Sequence, residues 1–163
     1  MVQTIDAFTE RSGSLLAWLA LSMALVTTLV VVLRYGFDIG SIAAQESVVY
    51  MHGCLFMLGT SLTLKRDSHV RVDIFYRNFS ARTRAWVNSL GTVVFLMPLC
   101  LFIFFVSWGY VAEAWAILES SPEPGGLPAV FLLKTLLPLM AANLLLQGVA
   151  ELLRNALVLV NEP

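Results

Sequence analysis

The sequence predicts an all-α integral membrane protein with four transmembrane helices and a short amphipathic cytoplasmic segment, at the membrane interface, between helices 2 and 3. Hydrophobic residues make up 58% of its 163 residues and charged residues only 13%, with a mean hydropathy of +0.80. A soluble domain is about one quarter charged, so lipid or another membrane protein must cover this surface. The basic residues are also concentrated in one loop, which is typical of a chain with a fixed orientation in its bilayer.

Four apolar segments are long enough to cross the bilayer, and we expect them to form a single membrane domain over residues 1–163. The hydrocarbon core is about 30 Å thick, and a helix that rises about 1.5 Å per residue needs roughly 20 apolar residues to cross it. The segments that reach this length are 14–33, 42–64, 85–112 and 129–153. Four crossings place both termini on the same side.

The loop between the second and third segments predicts the orientation. It holds six of the ten Lys and Arg residues, namely Lys65, Arg66, Arg71, Arg77, Arg82 and Arg84. Basic residues in short loops stay on the cytoplasmic side, which predicts a multi-pass protein of the bacterial inner membrane with both termini cytoplasmic. The hairpin 35–41 and the acidic loop 113–128 then face outward. The start of the chain lacks the basic region of a cleavable signal peptide, so we expect the first segment to be retained.

The same loop carries an amphipathic pattern. In the segment 70–79, apolar side chains recur at helical spacing at Val72, Phe75, Tyr76 and Phe79, which predicts a short helix lying in the membrane interface. Its basic residues would then meet anionic lipid head groups, and a solvated charged turn is the alternative. Because aromatic residues are not interleaved with a basic block as they are on nucleic-acid surfaces, no nucleic-acid partner is expected.

Three polar residues in or beside the first two segments are candidates for function. Arg34 ends the first segment and Glu46 lies about one turn into the second, so the hairpin between them makes an ion pair geometrically available. Such a pair could contact a partner subunit, or it could only make two interfacial charges tolerable. His52 lies near the middle of the second segment, where packing or an interhelical hydrogen bond is favoured over a proton relay or haem ligand.

The last segment carries a polar stripe. Asn143, Gln147 and Glu151 are spaced four residues apart and share one helix face. Because such a face is costly to expose to lipid, it should point at other helices or at a partner. A substrate pathway is the weaker alternative. Lys134, near the outer end of the same segment, is expected to extend its ammonium group to the lipid head groups.

The sequence contains no catalytic, cofactor-binding or metal-binding constellation, and we expect the protein not to be an enzyme. A small four-span antiporter would place a carboxylate deep in its first span, but residues 14–33 contain no acid. A haem-bearing anchor would need a second axial ligand at the depth of His52. The only other histidine, His69, lies beyond the end of that helix.

With these features in view, the chain resembles the small membrane subunit (DctQ-like) of tripartite ATP-independent periplasmic (TRAP) transporters. The resemblance is most specific at the segment His69-Val70-Arg71-Val72-Asp73. Further matching features are Gly59, the segment Leu64-Lys65-Arg66-Asp67-Ser68 before that motif, Gln45-Glu46 at the start of the second span, and Arg34-Tyr35-Gly36-Phe37 at the end of the first.

The resemblance implies a non-catalytic subunit without a cofactor. In such systems a periplasmic substrate-binding protein captures an organic acid, and a large multi-span permease subunit carries it inward with sodium ions. The small subunit packs against that large subunit. The residues expected to contact partners or support the structure are Arg34, Tyr35, Glu46, His52, His69, Arg71, Asp73, Asn143, Gln147 and Glu151.

Overall fold

The structure is a computed structural model that describes residues 2–67 and 76–161. Within these ranges it contains helices and no strand. The helices are α1 Val2–Phe37, α2 Ile42–Lys65, α3 Ala81–Gly91, α4 Met97–Ala116 and α5 Val130–Asn161, with a 3₁₀ turn at Tyr76–Asn78 and a π-helical segment at Thr92–Leu96. Because α3, the π segment and α4 run on as one helix, Ala81–Ala116, four long helices are apolar enough to cross a membrane. The predicted all-α fold with four long apolar helices is confirmed, while the amphipathic interfacial segment stays a prediction.

Two of these helices extend well beyond the apolar segments predicted from the sequence. Helix α1 begins at Val2 rather than near residue 14, and α5 continues to Asn161 rather than ending near residue 153. At about 1.5 Å per residue, the 36 residues of α1 extend for roughly 54 Å. This length exceeds the hydrocarbon thickness of about 30 Å, so the extensions carry polar side chains beyond the apolar segments.

Helix α5 forms the centre of the bundle. It contacts α1, α2, α3 and α4, while α1 packs mainly against α2. Fully buried side chains on α5 include Ala141, Gln147 and Ala150. In contrast, Trp18 on α1 and Phe105 on α4 are 67% and 70% exposed. The apolar exteriors of α1 and α4 are therefore available to lipid or to another membrane protein.

A small residue allows α1 to approach α2 closely at the end of the bundle where α1 begins. A Cβ atom at Gly13 would collide with the side chain of Leu62, and Gly13 itself is buried. Glycine in a helix interior costs about 1 kcal/mol relative to alanine, and here the loss is offset by the packing of Leu62 against the α1 backbone. This contact fixes the separation of α1 and α2 beside the polar residues described next.

The third long helix is irregular where a proline enters it. Pro98 lies in the first turn of α4, directly after the π-helical segment. Proline has no backbone N–H to donate to the preceding turn. The backbone N–H of Met97 donates to the carbonyl of Thr92. This spacing of five residues is that of a π-helix, whereas an α-helix uses four. The helix thereby passes the proline without interruption.

Candidate partner-binding face and the polar clusters of the bundle

Polar side chains collect at the two ends of the antiparallel bundle. At one end, called the basic end, α1 begins and α2 and α5 end. At the other, called the loop end, α2 and α5 begin beside the loop 117–129. Both ends hold networks that join residues far apart in the sequence.

At the basic end, α1 and α5 are joined by buried hydrogen bonds. The Thr9 hydroxyl donates to Gln147 Oε1 at 3.0 Å, and the two side chains are only 1% and 0% exposed. Gln147 Nε2 donates to Asp6 Oδ1 at 3.4 Å, and Arg154 donates to the same oxygen at 2.8 Å. Arg154 also pairs with Glu151, one turn away on its own helix, at 2.7 Å. Side chains of α1 and α5 therefore bind one another at this end, although Arg154 Nε and Asn155 Nδ2 are buried without a partner among the described residues.

The end of α2 joins this network through two cations. Lys65 Nζ donates to the Asp6 carbonyl at 2.9 Å and lies 3.1 Å from Glu10 Oε1. Arg66 donates to Glu10 Oε2 at 2.9 Å. Glu10 precedes the apolar part of α1, and the hydrogen bonds from Arg66 and Lys65 hold the pKa of its carboxyl below the usual value. The N-terminal turns of α1 are thus linked to both α2 and α5.

The structure divides the predicted polar stripe of α5. Gln147 and Glu151 lie in the basic-end network, but Asn143 lines an apolar groove of about 530 Å³ with α1 residues and makes no hydrogen bond to a described residue. Sequence reasoning missed Asp6, Thr9 and Arg154 as members of the network. The spacing of Asp6, Thr9 and Glu10 on one helix face was an available signal, but it lay outside the apolar segment used to place the helix.

At the loop end, Glu46 binds the loop and not Arg34. Its carboxylate accepts hydrogen bonds from the Ser121 hydroxyl and from the Leu127 backbone N–H, the latter at 2.6 Å. No ion pair joins Arg34 to Glu46 in the part of the chain that the structure describes. The available ion pair is therefore not formed, because the loop folds over the start of α2 and supplies nearer donors. Tyr35, beside Arg34, is 82% exposed.

Lys134 has partners that the sequence did not predict. Its ammonium group pairs with Glu119 at 2.5 Å and lies 4.0 Å from the centre of the Tyr110 ring. The indole N–H of Trp115 donates to the Thr135 hydroxyl at 2.9 Å nearby. The loop returns Glu119 to the side of α5, and this carboxylate and the Tyr110 ring both stabilise the cation. The expected approach of Lys134 to the lipid head groups stays a prediction.

The outer face of α2 has a different character. Val49, His52 and Phe56 share this face by helical spacing and are exposed. His52 stacks on Phe56 of its own helix, with ring centroids 6.2 Å apart. The sequence favoured either packing or an interhelical hydrogen bond for His52, and its imidazole makes no hydrogen bond to any residue in the described ranges.

Some predicted residues lie outside the described ranges. His69, Arg71 and Asp73 belong to the segment 68–75, as does most of the predicted interfacial segment. After that segment, the Tyr76 hydroxyl donates to Asn88 Oδ1 at 3.1 Å, and Arg84 donates to the Arg77 carbonyl at 2.9 Å. These bonds hold the end of the basic loop against α3.

The described residues define the chemistry that the fold supports. Across residues 2–67 and 76–161, no group of three His, Cys, Asp or Glu side chains is placed to hold a metal ion. Most charged side chains inside the bundle are already paired with one another. Their arrangement ties α1 to α2 and α5, and α5 to the loop before it.

Four long apolar helices held by polar clusters at both ends define a multi-pass α-helical membrane protein. Residues 23–157 match the family described as tripartite ATP-independent periplasmic transporters, DctQ component. Since this match covers most of the chain, the protein belongs to that family and is a small permease component of a TRAP transporter.

One relative illustrates the family. A protein of Vibrio cholerae serotype O1, described as C4-dicarboxylate TRAP transporter small permease protein DctQ, is 28% identical over 115 residues. The alignment covers 68% of this chain and 49% of that protein, so the chain spans about half the length of the relative that it matches. No solved structure matches the chain.

Proposed function

We propose that this chain braces the large, sodium-coupled permease subunit of a TRAP transporter, which imports an organic acid delivered by a periplasmic binding protein. The family match is the observation that carries the proposal. The small subunit itself performs no catalysis. Its task is to enlarge and stiffen the part of the complex that stays fixed in the bilayer.

Two features of the bundle support a bracing role. Each of its four long helices is continuous across the described residues, whereas substrate and ion sites in many transporters are built from broken helices near the midplane. The basic-end network also joins α1, α2 and α5 by ion pairs and buried hydrogen bonds. A bundle tied in this way suits a support for a moving neighbour.

The proposed orientation places the basic end in the cytoplasm of a bacterium, with the protein in the inner membrane. An export-dependent reporter fused after Ser80 should then be inactive, while the same reporter fused after Gly125 should be active. The physical reason is the retention of the loop's basic residues on the cytoplasmic side. The opposite pattern of activity would show that the orientation is inverted.

Transport by reconstituted components tests the bracing role. Liposomes that contain this chain alone should take up no more organic acid than empty liposomes. Liposomes that also contain the large subunit, supplied with the binding protein and an inward sodium gradient, should take it up well above that background. Replacing the segment 69–73 should reduce assembly or uptake without changing the substrate affinity of the isolated binding protein. Uptake by this chain alone would instead support a small antiporter.

A further inference from the structure

The outer face of α2 carries polar groups that nothing in the described part of the chain satisfies. Gln45, Val49, His52, Phe56 and Gly59 follow one another at intervals of three or four residues and so lie along one side of the helix. Neither the Gln45 amide nor the His52 imidazole makes a hydrogen bond to a described residue. The adjacent residue Glu46 points the other way and binds the loop.

Contact with lipid would leave the polar groups of this face without hydrogen-bond partners. His52 lies near the middle of an apolar helix and is exposed. Acyl chains offer an imidazole no hydrogen-bond donor or acceptor, and polar groups left unpaired in hydrocarbon are costly. A protein side chain with a hydrogen-bonding group would remove that cost.

The same face is shaped for close approach by a helix. A Cβ atom at Gly59 would meet nothing within 4 Å, so no packing among the described residues requires glycine there. Gly59 lies with His52, Phe56 and Thr63 on a groove of about 600 Å³ shared with α1 residues such as Ala17. Small residues let two transmembrane helices bring their backbones together. The groove contains no charged residue, so it suits an uncharged helix.

We propose that this groove, called the α2 face, docks a transmembrane helix of the large permease subunit. The docked helix passes close to Gly59, packs against Phe56 and presents an uncharged hydrogen-bonding side chain to His52. The inference rests on the proposed function, which supplies the large subunit as the partner. It adds the location of the contact and the chemistry that the partner helix needs.

A matched pair of glycine variants tests the location. In mild detergent, the amount of large subunit that co-purifies with a tagged small subunit should fall by at least tenfold for Gly59→Leu. The leucine side chain would occupy the space through which the partner helix approaches Gly59. Gly109→Leu is the control, since a Cβ there also meets nothing within 4 Å but Gly109 lies on α4. It should change recovery less than twofold. Thermal unfolding of both purified variants should show no loss of stability, because a Cβ at either position meets no described atom within 4 Å and leucine favours the helix over glycine.

Photo-crosslinking provides a test that does not depend on a disruptive substitution. A photoreactive phenylalanine analogue in place of Phe56 should crosslink to the large subunit, and the same analogue in place of Phe102 should not. The two side chains are matched in exposure, at 66% and 63%, but lie on different helices. His52→Leu should weaken recovery several-fold, and His52→Gln should restore part of it through its amide.

The outcomes separate this inference from the proposed function. If the wild-type chain recovers no large subunit, the bracing role itself fails. If it does recover the large subunit, but Gly59→Leu recovers as much and the Phe56 position crosslinks only to lipid, the α2 face is not the docking site and the bracing role stands. Crosslinks from position 56 to a second copy of this chain would also overturn the docking proposal.

Discussion

Glu46→Gln is expected to lower the unfolding temperature of the protein measurably, because it weakens two hydrogen bonds to a charged group. The carboxylate receives two donors, the Ser121 hydroxyl and the Leu127 N–H. A glutamine keeps only one acceptor oxygen and turns an NH₂ group toward a donor. Unfolding in detergent measures the loss. Faster proteolysis near Gly125 would show that the loop has been released.

A double-mutant cycle identifies the partner of Glu46. Combining Glu46→Gln with Ser121→Ala should cost less than the sum of the single variants, because both remove the same hydrogen bond. Combining Glu46→Gln with Arg34→Gln should be additive, since the structure places no ion pair between them. Additivity with Ser121 together with coupling to Arg34 would instead support the ion pair suggested by the sequence.

Gly126 offers an independent way to disturb the same contact. A Cβ atom there would lie 2.7 Å from Glu46 Oε1 and 2.5 Å from the Ser121 hydroxyl oxygen. Gly126→Ala should therefore loosen the loop while leaving both hydrogen-bonding side chains in place. Gly40→Ala is a suitable control, because a Cβ there meets nothing within 4 Å. Equal proteolysis of the two variants would indicate that the loop does not depend on this contact.

The sequence predicts the spanning helices well because hydropathy is summed over about 20 residues, so a single misjudged position changes little. It places their ends less well. Helix α1 continues through Asp6 and Glu10, whose charges are paired with Arg154, Lys65 and Arg66. A hydropathy threshold registers only that these residues are charged. Their partners lie more than 50 positions away in the sequence.

The partners of Glu46 and the exposure of His52 were harder to predict for a different reason. Glu46 binds a loop that begins about 70 residues later, and the path of that loop depends on its own turns, including Gly125 at φ +82°. His52 lies in a helix whose apolar residues are spread over all of its sides, because lipid-facing and buried surfaces have similar composition in membranes. Periodicity therefore gives no sign of which face is outward.

The other large effect is expected at the basic end, where Gln147→Leu should destabilise the bundle by about 1–3 kcal/mol. The substitution nearly preserves side-chain size but leaves the buried Thr9 hydroxyl without its acceptor, and Asp6 loses one of its two side-chain donors. Adding Thr9→Val should recover part of the loss, because replacing both partners by apolar groups removes the unsatisfied hydroxyl. Thermal unfolding of the purified chain measures both variants.

Asn143→Leu is the matched control for this prediction, since it makes the same kind of change one turn away on α5. Asn143 is half-buried beside an apolar groove and makes no hydrogen bond to a described residue, so its replacement should leave the unfolding temperature unchanged or raise it. A loss equal to that of Gln147→Leu would mean that the polar stripe acts as a whole, through contacts outside the described residues. A loss at Gln147 alone, reduced by Thr9→Val, would assign the stabilisation to the bond between α1 and α5.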